Sequence, residues 1–104
     1  MILTTGPEVA GRPVQRYLDL VTAQAIMGVH IGKDITAGLR NIVGGRSKSY
    51  EGEVAKAVAQ VMDELRAGGE KLAADAILSI DIDYETVGDN MLMVAASGTA
   101  VKLG

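Results

Sequence analysis

An α+β fold, with an antiparallel sheet and helices packed on one of its faces, is what this sequence predicts, and three stretches carry the expectation. Val14 to Met27 is rich in β-branched and aliphatic residues, the composition of a strand. From about Ser49 onward, Val54, Val58, Val61, Met62, Leu65 and Leu72 recur at helical spacing, which makes an amphipathic helix with one apolar stripe. Ala76 to Val87 and Met91 to Lys102 are two more strand-like runs separated by Gly88-Asp89-Asn90, a turn of residues that tolerate positive φ. In chain order the elements read β-β-α-α-β-β.

Each element has its own justification. Thr5-Gly6-Pro7 and Gly11-Arg12-Pro13 are turn signals that bracket a short opening strand and start the longer one. In the longer strand the polar residues Gln15, Arg16, Asp19 and Gln24 do not keep to one parity; a bulge, a bend or a position between two subunits would each explain that. Ile31, Ile35, Leu39, Ile42 and Val43 then give a short helix from about Gly32 to Val43, ended by Gly44-Gly45. Glu51 and Glu53 stand in the first turns of the long helix, where carboxylates favour the positive end of the dipole. Gly68-Gly69 costs that helix about 1 kcal/mol per glycine relative to alanine, yet the stripe continues to Leu72, so the helix runs through with room for a kink.

Composition narrows the function classes. The 104 residues suit one domain, 1–104, with a modest core. Hydrophobic residues make up 48% and charged ones 22%, so the chain is globular rather than disordered. With three tyrosines and no Phe or Trp, the core must be built from small aliphatic side chains. Subunit contacts are an expected supplement to such a core. A net charge of −3 and no aromatic-interleaved basic patch speak against nucleic acid. The absence of cysteine removes disulfides, thiolate metal sites and thiol nucleophiles together. Leu20 to Gly32 and Asn90 to Val101 are the longest charge-poor runs, too short to span a bilayer as helices. No signal-like segment opens the sequence, so a cytoplasmic location is the expectation.

Ser79-Ile80-Asp81-Ile82-Asp83-Tyr84-Glu85-Thr86 alternates strictly. A strand here carries Asp81, Asp83 and Glu85 on one face and Ile80, Ile82 and Tyr84 on the other. Three like charges on one strand face repel unless water, a metal ion or a basic partner answers them.

Asn41-Ile42-Val43-Gly44-Gly45-Arg46-Ser47, Tyr50-Glu51, Ala74-Asp75-Ala76, Ile80-Asp81-Ile82-Asp83-Tyr84-Glu85-Thr86-Val87-Gly88, Met91-Leu92-Met93-Val94 and Ser97-Gly98-Thr99-Ala100-Val101 resemble, in order and over nearly the whole chain, the YbjQ-like family. The resemblance implies a dodecin-like α+β subunit that assembles into a ring, usually a homopentamer. It implies a bacterial or archaeal, cytoplasmic protein of uncharacterised role, under a heavy-metal-binding label and without catalytic residues to carry over. The chain departs from the family's pattern at His30, where Asn is frequent, at Ile35-Thr36, where an aromatic pair is usual, and at Ala73, which replaces a helix-ending glycine. A left-handed cap on Ala73 would cost about 1 kcal/mol.

Four groups of residues are candidate sites. Asp81 and Asp83 can share a hard cation through oxygen ligands, with Glu85 as a third carboxylate; Asp81 and Glu85 stand about 13 Å apart along the strand, too far to chelate one ion unaided. A ring would complete such a site by repeating the carboxylates, and solvent or intersubunit salt bridges are the competing reading. Gly44, Gly45, Arg46, Ser47 and Lys48 form a glycine-rich, basic entry to a helix N-terminus, suited to phosphate or carboxylate; the spacing is not that of a P-loop. The competing reading is a helix–helix connection with Ser47 or Ser49 as N-cap and Arg46 paired to an Asp. Met91 and Met93 are a thioether pair of the kind that suits Cu(I), or simply core filler. His30 is a metal candidate only if ring symmetry repeats it, and otherwise a packing residue. Tyr50 and Tyr84 are expected in the core or an interface.

Catalysis has little support, because one His and no Cys assemble no nucleophilic constellation. A small hydrolase or isomerase acting through interface carboxylates is the enzymatic reading. The expectation is a non-enzymatic homo-oligomeric binding or scaffold module, with a divalent metal ion or a small-molecule ligand as its conceivable cargo; the alternative is a metal-binding protein using carboxylate oxygens at subunit interfaces.

Overall fold

A computed structural model describes residues 1–27, 48–88 and 91–104, with side chains of the helix described from residue 52. The elements are β1 (Ile2–Leu3), β2 (Val14–Met27), α1 (Lys48–Lys71), β3 (Ala76–Val87) and β4 (Met91–Leu103). The short helix expected over 32–43 lies outside the described residues. The sheet order is β1-β3-β4-β2.

Two expectations need correction. The sheet is mixed rather than antiparallel: β2 and β3 both run antiparallel to β4, but β1 pairs in parallel with β3, Ile2 beside Ala76 and Leu3 beside Ile77. The outer edge at the start of β3 needs backbone partners, and the N-terminal segment supplies them: Ile2 N–H donates to Asp75 O at 3.1 Å and Thr4 N–H to Ile77 O at 3.0 Å. The opening strand also precedes Thr5-Gly6-Pro7 instead of lying between the two turn signals. Between those signals there is only an isolated bridge, Val9 to Arg12.

The mixed parity of β2 has a bulge as its cause. Its pairing with β4 shifts between Val14 and Arg16 and again between Tyr17 and Asp19; each shift inserts one extra residue, so side chains change face twice. Beyond Leu20 the alternation is strict, with Val21, Ala23, Ala25 and Met27 buried and Thr22, Gln24 and Ile26 exposed.

α1 covers the face to which those buried residues point, packing mainly on β2 and β4. Ala57, Val61 and Leu65 are its most buried residues, with Val54, Val58, Met62 and Leu72 beside them, against Ile77, Ile80, Val94, Ala96 and Ala100. The two helical glycines permit close approach. A Cβ on Gly69 would stand 2.9 Å from Met1 Sδ and 3.0 Å from Ile77 Cδ1, and one on Gly68 would stand 3.4 Å from Val21 Cγ1. α1 starts at Lys48, so Ser49 lies inside its first turn rather than ahead of it as a cap.

The helix ends in a Schellman motif built on alanine. Ala74 N–H donates to Gly69 O and Ala73 N–H to Glu70 O, both at 3.0 Å, the paired bonds that define the motif. Ala73 has φ 56, in the left-handed region where a Cβ is strained. On the sheet's other face a smaller cluster, Ala76, Leu78, Val101 and Leu103, is covered by Val9 and Val14. That cover stops short of the β3–β4 turn end.

Candidate functional site

Ser79 sets which way the acidic strand faces. Its φ is 53, and the β3–β4 register shifts between Leu78 and Asp81, so one extra residue sits in β3 there. The bulge lets Ile77 and Ile80 both point to the helix side, over Gly98, whose missing Cβ would stand 2.6 Å from Ile77 Cγ2. From Ile80 onward the expected alternation holds: Ile80 is buried and Ile82 packs on the core, while Asp81, Asp83 and Glu85 are exposed.

Register places the three carboxylates on the open face beyond the small cluster. Asp81 is level with Ser97 of β4 and Thr22 of β2, Asp83 with Ala95 and Gln24, and Glu85 with Met93 and Ile26. None of those six neighbours carries a charge. Like-charged and without a neighbouring cation on these strands, the adjoining Asp81 carboxyl, and then the negative charge of Glu85, raise Asp83 above the ordinary carboxylate range. The open face also carries large apolar side chains on β2: Tyr17 is 72% exposed, Leu20 71% and Ile26 59%.

Tyr84 is not in the core of the single subunit. It points to the helix side but is 55% exposed, because α1 lies mainly over β2 and β4 and leaves this end of the outer strand uncovered. Tyr50 has no described side chain. Met91 and Met93 are half-buried on the open face and belong to neither described core cluster, so the core-filler reading does not describe them. Gly44, Gly45, Arg46, Ser47 and His30 lie outside the described residues, and of Lys48 only the helical backbone is described.

Two further features escaped sequence reasoning. Asp75 accepts from Leu103 N–H at 2.9 Å and from Lys102 Nζ at 3.3 Å, while Lys102 Nζ donates to Ala73 O at 2.9 Å. The Leu103 amide and then Lys102 hold the Asp75 carboxyl below its usual range. This cluster ties the helix end to β4 and is structural. An open groove of about 280 Å³ lies between α1 and the end of β2, lined by Ala25, Ile26, Met27, Glu53, Lys56, Ala57 and Gln60. Glu53 and Lys56 on its wall pair at 3.6 Å. Long-range contacts of this kind leave no local sequence signature.

The donor set can be weighed against metals. Thiolate is absent from the whole sequence, and among the described residues no three His, Cys, Asp or Glu gather around one point. Asp81 and Asp83 supply two close carboxylates, an incomplete set for a hard cation and a poor one for a soft cation. Among the described residues no helix is long and apolar enough to cross a membrane.

Comparison with known proteins agrees with the family suggested by the sequence motifs. A relative from Bacillus cereus (strain ATCC 10987 / NRS 248), named only as a UPF0145 protein, is 46% identical over 103 residues, covering 99% of this chain and 100% of the relative. A crystal structure of a protein of unknown function from Pediococcus pentosaceus ATCC 25745, placed in the DUF74 family, covers 100% of this chain and 98% of its own with a TM-score of 0.63. At 15% identity that likeness shows the fold alone. The model of the YbjQ family described as "Putative heavy-metal-binding" matches residues 1–104, and the chain belongs to that family.

Proposed function

We propose that this protein is a non-enzymatic, homo-oligomeric binding or scaffold module, a dodecin-like subunit that closes into a ring and works in the cytoplasm. The observation that carries the reading is the row of large apolar side chains left in solvent on β2. Tyr17, Leu20 and Ile26 are each more than half exposed on one strand at the sheet edge. Isolated exposed hydrophobics are ordinary, but a row along an edge strand marks a contact surface. Coverage by a neighbouring subunit would supplement a core whose fully buried residues are almost all aliphatic and small.

Dilution tests this reading. An assembly-dependent fold loses thermal stability as protein concentration falls, because dissociation is coupled to unfolding. A midpoint independent of concentration over a thousandfold range, together with a monomeric sedimentation coefficient, overturns it.

The second reading is metal binding through carboxylate oxygens, favoured by Asp81 and Asp83 standing two residues apart on one exposed face of β3. It places a divalent ion against Asp81, Asp83 and Glu85 at a subunit junction, with preference for hard ions over soft ones. Calorimetric titration with Mn2+ and Ca2+ should show binding that Asp81→Asn with Asp83→Asn abolishes while the assembly survives. Binding unchanged by that double substitution rejects these ligands. Gly44, Gly45, Arg46, Ser47 and Lys48 stay in the proposal as an anion site, tested by Arg46→Ala against phosphate-dependent thermal stabilisation; a parent chain that phosphate does not stabilise ends that part. His30 enters only as a symmetry-repeated metal ligand, read by loss of metal retention in His30→Ala.

A further inference from the structure

Among the described residues, each outer strand of the sheet is protected along one half and bare along the other. On β2 the half from Val14 to Asp19 follows Pro13, carries Arg16 and Asp19, and contains both register shifts. Proline, charge and bulges are the usual devices that stop an edge from pairing. From Leu20 to Met27 there is no charge and no proline, and the register is regular. On β3 the half from Ala76 to Ile80 is taken by the N-terminal segment: besides the two bonds made by Ile2 and Thr4, Ser79 N–H donates to Gly6 O at 2.9 Å and Ile80 N–H to Thr4 O at 3.0 Å. From Asp81 to Val87 no described strand lies outside β3. Because Ile80 N–H points outward, the pleat turns the N–H groups of Ile82, Tyr84 and Thr86 outward as well.

The bare halves match. Thr22 and Asp81 flank Ser97, Gln24 and Asp83 flank Ala95, and Ile26 and Glu85 flank Met93, so both open edges lie at the same end of the sheet over seven residues each. β2 and β3 are parallel to one another, since both are antiparallel to β4. A second copy related by rotation about an axis along the strands therefore presents its β3 edge to this copy's β2 edge in a permitted parallel pairing.

We propose that the bare edge of β2, from Val21 to Met27, pairs in parallel with the bare edge of β3, from Asp81 to Val87, of a second copy of this chain. The side chains complement one another across that seam. Thr22 and Gln24 bring a hydroxyl and an amide donor to the acidic column of the next copy, and Ile26 brings an apolar contact for the stem of Glu85. A stagger by any even number of residues keeps the same side chains on the same face. The join is head-to-tail, so repetition about an axis along the strands closes a ring when the rotation per copy divides a full turn. The inference rests on the assembly reading above and supplies its seam, with Thr22 and Gln24 of one copy completing the surroundings of Asp81 and Asp83 in the next.

Disulfide trapping tests the seam, in a chain that has no cysteine of its own. Within one subunit Gln24 and Asp83 are separated by two strand spacings, about 10 Å, beyond the roughly 7 Å between Cα atoms that a disulfide can bridge. The full chain carrying Gln24→Cys together with Asp81→Cys, Asp83→Cys or Glu85→Cys is oxidised with copper phenanthroline and run without reductant. At least one pair should move most of the chain from the monomer band into a ladder that stops at the ring, while Gln24→Cys and Asp83→Cys alone stay monomeric on the gel. No ladder from any pair, in a parent that native mass spectrometry shows to be assembled, overturns the seam and leaves the assembly reading standing. Efficient dimers from Gln24→Cys alone also overturn it, since they report β2 against β2. A parent that is monomeric defeats the assembly reading and this inference with it.

Discussion

Replacing Ala73 by glycine should stabilise the fold, against the usual cost of adding a glycine. Ala73 stands two residues past the end of α1 with φ 56, inside the Schellman turn whose backbone bonds glycine would keep. An L-residue in this region pays about 1–2 kcal/mol for the clash of its Cβ. Glycine gives back about 0.4–1 kcal/mol through the greater freedom of its unfolded chain. The Ala73 side chain is exposed, so no packing is lost, and the net gain is about 1 kcal/mol. For a chain of this length that corresponds to a rise in Tm of about 4–8 °C. Ala67→Gly is the matched control: it makes the same chemical change at an exposed position inside α1 and should lose about 1 kcal/mol. Urea unfolding at fixed protein concentration reads both, with unchanged m-values as the condition for comparison. Two variants that shift in the same direction would refute the reasoning, because only backbone conformation distinguishes the sites.

Three further perturbations follow from the same geometry. Gly98→Ala puts a Cβ 2.6 Å from Ile77 Cγ2 and 3.2 Å from Leu78 O, and overpacking of this kind should cost about 1–3 kcal/mol; an unchanged urea midpoint would show that the bulge at Ser79 yields freely. Asp83 has a folded-state pKa above its unfolded value, so its favourable contribution is complete below the unfolded pKa and lost as pH rises through the folded one. Asp83→Asn should therefore raise Tm at pH 7, with the advantage shrinking towards pH 4; a lower Tm at pH 7 would mean that a cation answers the acidic column. Asp75 runs the other way, since its pKa is depressed by Leu103 and Lys102 and its contribution fades as pH falls through the folded value. Asp75→Asn should lower Tm at pH 7 and approach the parent in acid, and a deficit independent of pH would contradict an ionic role.

Local pattern made much of this fold legible. The limits of β2 and the β3–β4 hairpin follow from β-branched runs and one Gly-Asp-Asn turn, and the helix stripe follows from period alone. The facing of Asp81, Asp83 and Glu85 was equally readable, because strict alternation continues past the bulge. What sequence did not reveal depends on contacts between distant residues. The parallel seating of β1 is decided by hydrogen bonds to Asp75 and Ile77, more than seventy residues along the chain. The bulge at Ser79 is hidden because an inserted residue looks like any other until Gly98 lies opposite. The choice between core and interface for Tyr84 was not readable, because its exposure depends on where α1 lies over the sheet, which periodicity does not encode. The acidic column was visible as a pattern, but its lack of a cation on β4 or β2 became visible only with register.

Native mass spectrometry of gently purified protein is the measurement closest to the central claim. The account predicts a closed assembly at an integral multiple, greater than one, of the 10.8 kDa subunit, with any retained ion or ligand appearing as added mass per ring or per subunit. A single species at the subunit mass, unchanged as concentration rises, would contradict it.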